Sequence, residues 1–125
     1  MKKIVLLLFC IPLLMASTCE KDNPDQIACT TEARAGLNVT VVDSQTNLTL
    51  SEGVIVTAKD GNYEETLQLF PGSENVFTGA WERPGNYIIK VTKEGYTTYN
   101  SSVVTITSDI CHVISKQLNV SLQPL

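Results

Sequence analysis

Apolar and polar positions alternate with a period of two through much of the chain after residue 36, the pattern of strands with one buried face. It is clearest at Tyr87, Ile89 and Val91, which alternate with Ile88, Lys90 and Thr92. Pro84-Gly85 before this run and Lys93-Glu94-Gly95 after it are turn signals, since Pro fixes φ at about −65° and Gly tolerates positive φ. Comparable runs predict strands over 37–42, 53–59, 63–70, 76–82 and 102–107. A last strand falls within 112–122, where Leu118, Val120 and Leu122 alternate with Gln117, Asn119 and Ser121 ahead of Pro124. Asp60-Gly61 is the strongest hairpin signal. In 76–82 the period places Phe77, Gly79 and Trp81 on one side, so Trp81 is expected in the core. Residues 96–100 read as a short edge or irregular segment. No segment beyond the N-terminal run has sustained helical periodicity. About seven short strands, with turns about every ten residues, predict an all-β fold, a single β-sandwich whose two sheets bury their alternating faces.

The N-terminus obeys another rule. Lys2 and Lys3 precede an apolar run over 4–15 broken by Pro12, and small residues Ala16, Ser17 and Thr18 follow. The run is too short for a bilayer span, so residues 1–18 read as a cleaved secretory signal. Cys19 and the acidic, Pro-containing stretch behind it resemble the cleavage junction of bacterial lipoproteins. That resemblance implies an acylated Cys19, a solvated tether over 19–30, and export to the bacterial outer membrane or cell surface. The membrane would then be a partner through the lipid alone, each buried methylene contributing about 0.8 kcal/mol. A free or disulfide-bonded Cys19 is the alternative.

Cysteine usage fits an oxidising compartment. Cys10 lies in the signal and Cys19 at the lipidation position, leaving Cys29 and Cys111 near the two ends of the folded part. In an exported domain the default for such a pair is a disulfide, with two free thiols as the alternative. The net charge of −4 becomes −6 once Lys2 and Lys3 are removed. That balance argues against nucleic acid as a partner.

The segments 37–42, Thr57-Ala58-Lys59-Asp60-Gly61-Asn62-Tyr63, Pro84-Gly85-Asn86-Tyr87-Ile88-Ile89-Lys90-Val91, Lys93-Glu94-Gly95-Tyr96, Val103-Val104-Thr105-Ile106 and Leu118-Asn119-Val120-Ser121-Leu122 also have a collective likeness. Together they resemble the carboxypeptidase regulatory-like domain, a transthyretin-type (prealbumin-like) sandwich related in shape to immunoglobulin domains. The likeness covers roughly residues 35–124 and places one domain over 31–125. It implies an accessory domain without catalytic residues. A narrower likeness is to exported bacterial proteins that combine Cys29-x-x-Glu32-x-Arg34-x-Gly36, Glu82-Arg83-Pro84-Gly85 and Cys111-His112-Val113.

Candidate chemistry is sparse. His112 is the only histidine, and with Cys111 and Cys29 it lacks the paired spacing of zinc sites. Neither a metal nor a cofactor is expected. Ser and Thr are plentiful, but no nucleophile-elbow motif accompanies them. Glu64 and Glu65 are adjacent in a strand and face opposite sides, which rules out a carboxylate pair flanking one bond. The Asn-x-Ser/Thr sequons at Asn38, Asn47, Asn100 and Asn119 follow from Thr and Ser at strand spacing, and a lipoprotein-type signal discounts them as glycosylation sites. Trp81 with Tyr63, Tyr87, Tyr96 and Tyr99 offers aromatic area for sugar rings, and Tyr96 and Tyr99 are the more exposed in expectation.

One polar set stands out. If Cys29 and Cys111 are bonded, Glu32 and Arg34 come close to His112, and the turn bearing Glu82 and Arg83 completes a cluster at one end of the sandwich. This is either a recognition patch or an ordinary surface network. The sequence therefore points to a non-catalytic, lipid-anchored envelope module that binds another protein or serves a structural role. A glycan-binding module using exposed aromatics is the alternative, and a small metal-dependent envelope enzyme using His112 is a more distant one.

Overall fold

The computed structural model describes residues 27–125. The signal segment, Cys19 and most of the 19–30 tether lie outside the described residues. The described chain is all β, with nine strands in two sheets. They are β1 (Ala35–Asp43), β2 (Ile55–Asp60), β3 (Tyr63–Thr66), β4 (Gln68–Leu69), β5 (Val76–Trp81), β6 (Gly85–Thr92), β7 (Tyr99–Asn100), β8 (Val104–Ile106) and β9 (Lys116–Leu122). One sheet runs β4-β5-β1-β9, and the other runs β3-β2-β6 with β7 and β8 both on β6.

The alternation read from the sequence is the alternation of burial. Leu37, Val39 and Val41 of β1 are fully buried, as are Tyr87, Ile89 and Val91 of β6 and Val56 and Ala58 of β2. They meet between the sheets with Val120 and Leu122 of β9. Each such aliphatic side chain contributes about 1.5–3 kcal/mol of transfer free energy, so this layer is the principal source of stability. The first and last strands lie side by side and parallel, with Leu37 opposite Lys116 and Asp43 opposite Leu122. Both ends of the domain are thereby fixed in the same sheet.

Three departures from the predicted strands have local causes. The segment 63–70 is not one strand: β3 pairs with β2 in one sheet and β4 with β5 in the other. Leu67, buried between them, sends its amide to the Val56 carbonyl at 2.8 Å and turns the chain across the sandwich edge. The expected strand 102–107 and the irregular 96–100 form one interrupted edge along β6. Its pairing shifts by one residue between Lys90↔Asn100 and Tyr87↔Val104. Ser101 sits in that bulge, giving its amide to Ile89 O and accepting the Ile89 amide on Oγ, both at 2.8 Å.

The third departure moves Trp81. Ala80 and Glu82 both adopt positive φ, 52° and 48°. Left-handed backbone at an L-residue is unfavourable by roughly 1–2 kcal/mol, and it breaks the two-residue alternation. Ala80 is consequently fully buried and Trp81 is 44% exposed, so the expectation of Trp81 in the core is corrected.

The edge crossing depends on Gly79. A β-carbon there would lie 2.7 Å from Leu67 Cγ and 3.0 Å from Cδ1. Leu67 is held by its backbone bond, so Gly79→Ala is expected to destabilise the domain by about 1–3 kcal/mol through overpacking. Chemical denaturation checks this, and an unchanged midpoint would mean that Leu67 moves aside freely.

Candidate functional site

Three segments meet at the end of the sandwich where β1 begins: the arm 27–34, the turn from β5 to β6, and the loop from β8 to β9. The last two carry the chain from one sheet to the other. A disulfide between Cys29 and Cys111 joins the arm to the β8–β9 loop across 82 residues of sequence. That pairing is the one expected for an oxidising compartment.

Glu82 is at the centre of this junction. Its Oε1 accepts the Arg34 amide and the His112 Nδ1–H, each at 2.8 Å, and its Oε2 accepts the Val113 amide at 3.1 Å. Burial alone would raise the Glu82 carboxyl. The bonds from Arg34, His112 and Val113 outweigh it and hold the group below the ordinary glutamate value. His112 is 8% exposed, and its Nε2 lies 2.8 Å from Thr30 Oγ1. Because a carboxylate can only accept, Nδ1 carries the proton, and in the neutral ring Nε2 accepts from the Thr30 hydroxyl. Asp109 Oδ1 accepts the amides of Cys111 and His112, both at 2.8 Å, and these bonds keep its carboxyl below the usual aspartate value. Glu32 pairs with Arg34 at 2.6 Å on the exposed side, and that bond lowers the Glu32 carboxyl.

The structure thus brings together Glu32, Arg34, Glu82 and His112 of the predicted set, but not Arg83. Arg83 bonds Asp60 Oδ2 at 3.0 Å and the Tyr87 hydroxyl at 2.9 Å, and lies 3.7 Å above the centre of the Tyr63 ring. Neighbours in sequence, Glu82 and Arg83 serve separate clusters. Tyr87 in turn donates to the Arg83 carbonyl at 2.8 Å, which closes the turn on itself. Tyr96 and Tyr99 are half-buried against the core. The Tyr96 hydroxyl donates to Asp43 Oδ2 at 2.7 Å at the far end of β1. Asp43 also accepts the Thr46 and Gln45 amides, so it is held below its ordinary value while Tyr96 is raised.

Sequence reasoning missed Thr30, Asp109, Asp43 and Asp60 as partners. Only Asp109 left a trace, since an aspartate three residues before His112 suits a turn in which its side chain caps the following amides.

Glu82, His112 and Thr30 stand in the order carboxylate, imidazole, hydroxyl used by hydrolytic triads. The same groups also tie three segments of the chain together. Glu82 is bonded to two backbone amides as well as to the ring. The neighbouring cavity is lined by Ala33, Arg34, Trp81 and residues of the four-stranded sheet, and touches neither Thr30 nor His112. Among the described residues no group of three His, Cys, Asp or Glu side chains is placed to hold a metal ion. No family model matches the chain, and no curated protein matches it as a relative.

Two outcomes follow from this junction. His112→Ala is expected to cost about 1–3 kcal/mol by leaving Glu82 and Thr30 short of a partner. Replacing both Cys29 and Cys111 by Ser is expected to cost at most about 4–5 kcal/mol, the unfolded-state entropy of so long a loop. Denaturant titration ranks the two; a costlier histidine change would make the polar junction, not the staple, the main fastening.

The carboxylates set a pH window. Glu82, Asp109 and Asp43 are all depressed in the folded state. Their stabilisation is complete above the unfolded value of about 4 and is lost as pH falls through the folded values. The unfolding temperature should therefore fall on acidification below about pH 4, more shallowly in Glu82→Gln than in the wild type. Parallel acid profiles for the two would remove Glu82 from the account.

Proposed function

We propose that this protein is a non-catalytic module of the bacterial cell envelope, anchored by a lipid on Cys19 and serving a binding or accessory role. In this reading the domain is a carboxypeptidase regulatory-like sandwich. Support for that family comes from the Gly85-x-Tyr87 strand and the Gly95-Tyr96 turn, set in a two-sheet all-β framework.

One observation carries the non-catalytic part. The single histidine has both ring nitrogens engaged, one by a carboxylate tied to backbone amides and the other by a hydroxyl on the stapled arm. A general base needs a substrate proton within reach and freedom to exchange its own. Here the ring spans two segments that must stay together. The disulfide supports the address, because such bonds persist outside the reducing cytosol. The anchoring rests on the small residues before Cys19 and the acidic stretch behind it.

Labelling cells that express the full chain with a palmitate analogue tests the anchor. Incorporation is expected in the wild type and none in Cys19→Ala, which should leave the membrane fraction. Equal labelling of the variant would overturn the anchor. Turnover of any ester, amide or glycoside substrate that disappears in His112→Asn would overturn the non-catalytic reading.

A further inference from the structure

We propose that the outer face of the four-stranded sheet, at the end where Trp81 emerges, is a binding site for an uncharged saccharide. This gives a ligand class to the binding role proposed above and rests on that reading.

The site is built by register. Gln68, Thr78, Asn38 and Gln117 are direct partners across β4, β5, β1 and β9, and so form one row on one face. In β1 that face is the one opposite the buried Leu37, Val39 and Val41. The row spans about 14 Å from first strand to last, enough for a short oligosaccharide. Trp81 and Phe70, each 44% exposed, join Asn38, Thr78 and Gln117 in lining a shallow cavity of about 290 Å³. The left-handed turn at Ala80 is what swings the indole onto this face.

The chemistry selects the occupant. A pyranose presents C–H groups on its faces and hydroxyls around its rim. An exposed indole supplies an apolar face with an N–H at its edge. Primary amides both donate and accept, as a sugar hydroxyl does, so Asn38 and Gln117 suit vicinal hydroxyls. Local bonds occupy part of the row: Gln68 Nε2 donates to the Thr66 carbonyl at 3.4 Å, and Thr78 Oγ1 to the Gln68 carbonyl at 3.4 Å. The amides of Asn38 and Gln117 and the indole N–H bond no other described group and are available to a ligand.

Charge excludes the alternatives. Among the described residues Arg34 is the one ionised side chain lining the cavity, and Glu32 neutralises it at 2.6 Å. With a net charge of −4 on the chain, a sulfated or uronic acid polymer would be repelled rather than steered in. A few apolar contacts with convergent hydrogen-bonding groups are what small-ligand sites require. The aromatic surface first expected at Tyr96 and Tyr99 is therefore placed at Trp81 and Phe70.

The test is a glycan array carrying neutral gluco-, xylo-, manno- and galacto-oligosaccharides beside sulfated and uronic acid ones, probed with the detergent-solubilised full-length protein. Hits are followed by calorimetry. Binding of at least one neutral oligosaccharide is expected, weakened at least tenfold in Trp81→Ala and in Gln117→Ala. Thermal unfolding of these variants reports any loss of fold. Trp81→Phe, which keeps a ring, should retain most of the affinity and guards against misfolding of the alanine variant. Binding confined to acidic glycans, binding indifferent to both substitutions, or no binding at millimolar sugar would overturn the saccharide site while leaving the anchored module in place. Mass spectrometry of the recovered sugar separates the two readings. An intact oligosaccharide supports both, whereas cleavage would overturn the non-catalytic reading and leave the site standing.

Discussion

The carboxylate of Glu82 ties together three segments at the end of the sandwich where β1 begins. It sits on the turn that carries the chain from one sheet to the other, and it holds the arm through the Arg34 amide and the returning loop through His112 and Val113. Charge-assisted bonds of this kind are roughly twice as strong as neutral ones, and partial burial shields them from screening. Losing the carboxylate would orphan two backbone amides and a ring nitrogen together. The rest of the site follows: His112 has its proton on Nδ1 because Glu82 is there, and Thr30 meets Nε2 because the ring is so oriented.

The disulfide acts on a different quantity. It lowers the entropy of the unfolded chain and is nearly silent about which native geometry forms, whereas the Glu82 bonds select one geometry and add modestly to the free energy. The core does most of the energetic work, through side chains that need only be apolar and correctly phased. Fastening and specification are thus separate jobs, held by separate residues. An imidazole, a carboxylate and a hydroxyl stand in line here, and their bonds join three segments of the chain. Of the two backbone amides bonded to Glu82, that of Val113 is the partly buried one, and the carboxylate supplies its partner.

The sandwich was legible because its signal is additive: every second residue of β1, β2 and β6 repeats the same message about a buried face. The cysteine pair was legible by subtraction. The polar cluster was partly legible, since linking Cys29 to Cys111 forces the arm against the β8–β9 loop. Arg83 was misplaced for a physical reason. Side-chain direction in a turn depends on φ, and nothing in the letters Trp-Glu-Arg-Pro announces a left-handed glutamate. Leu67 shows the same limit, because alternation continues smoothly through a residue at which the chain leaves one sheet for the other.

Ala80 joins these threads. A left-handed alanine is a poor local choice, and it persists only where the surroundings over-determine it. Here its amide is taken by the Glu65 carboxylate and its carbonyl accepts the Arg83 amide at 3.2 Å, so both backbone groups are satisfied in the strained form. The strain has two products on either side of one peptide. Glu82, itself left-handed, gathers the junction through its carboxylate, and Trp81 is turned outward over the amide row of the four-stranded sheet. With an extended Ala80, strand alternation would carry Trp81 to the face of Phe77 and Gly79. The internal junction and the exposed indole thus both lie beside left-handed backbone, at Glu82 and at Ala80.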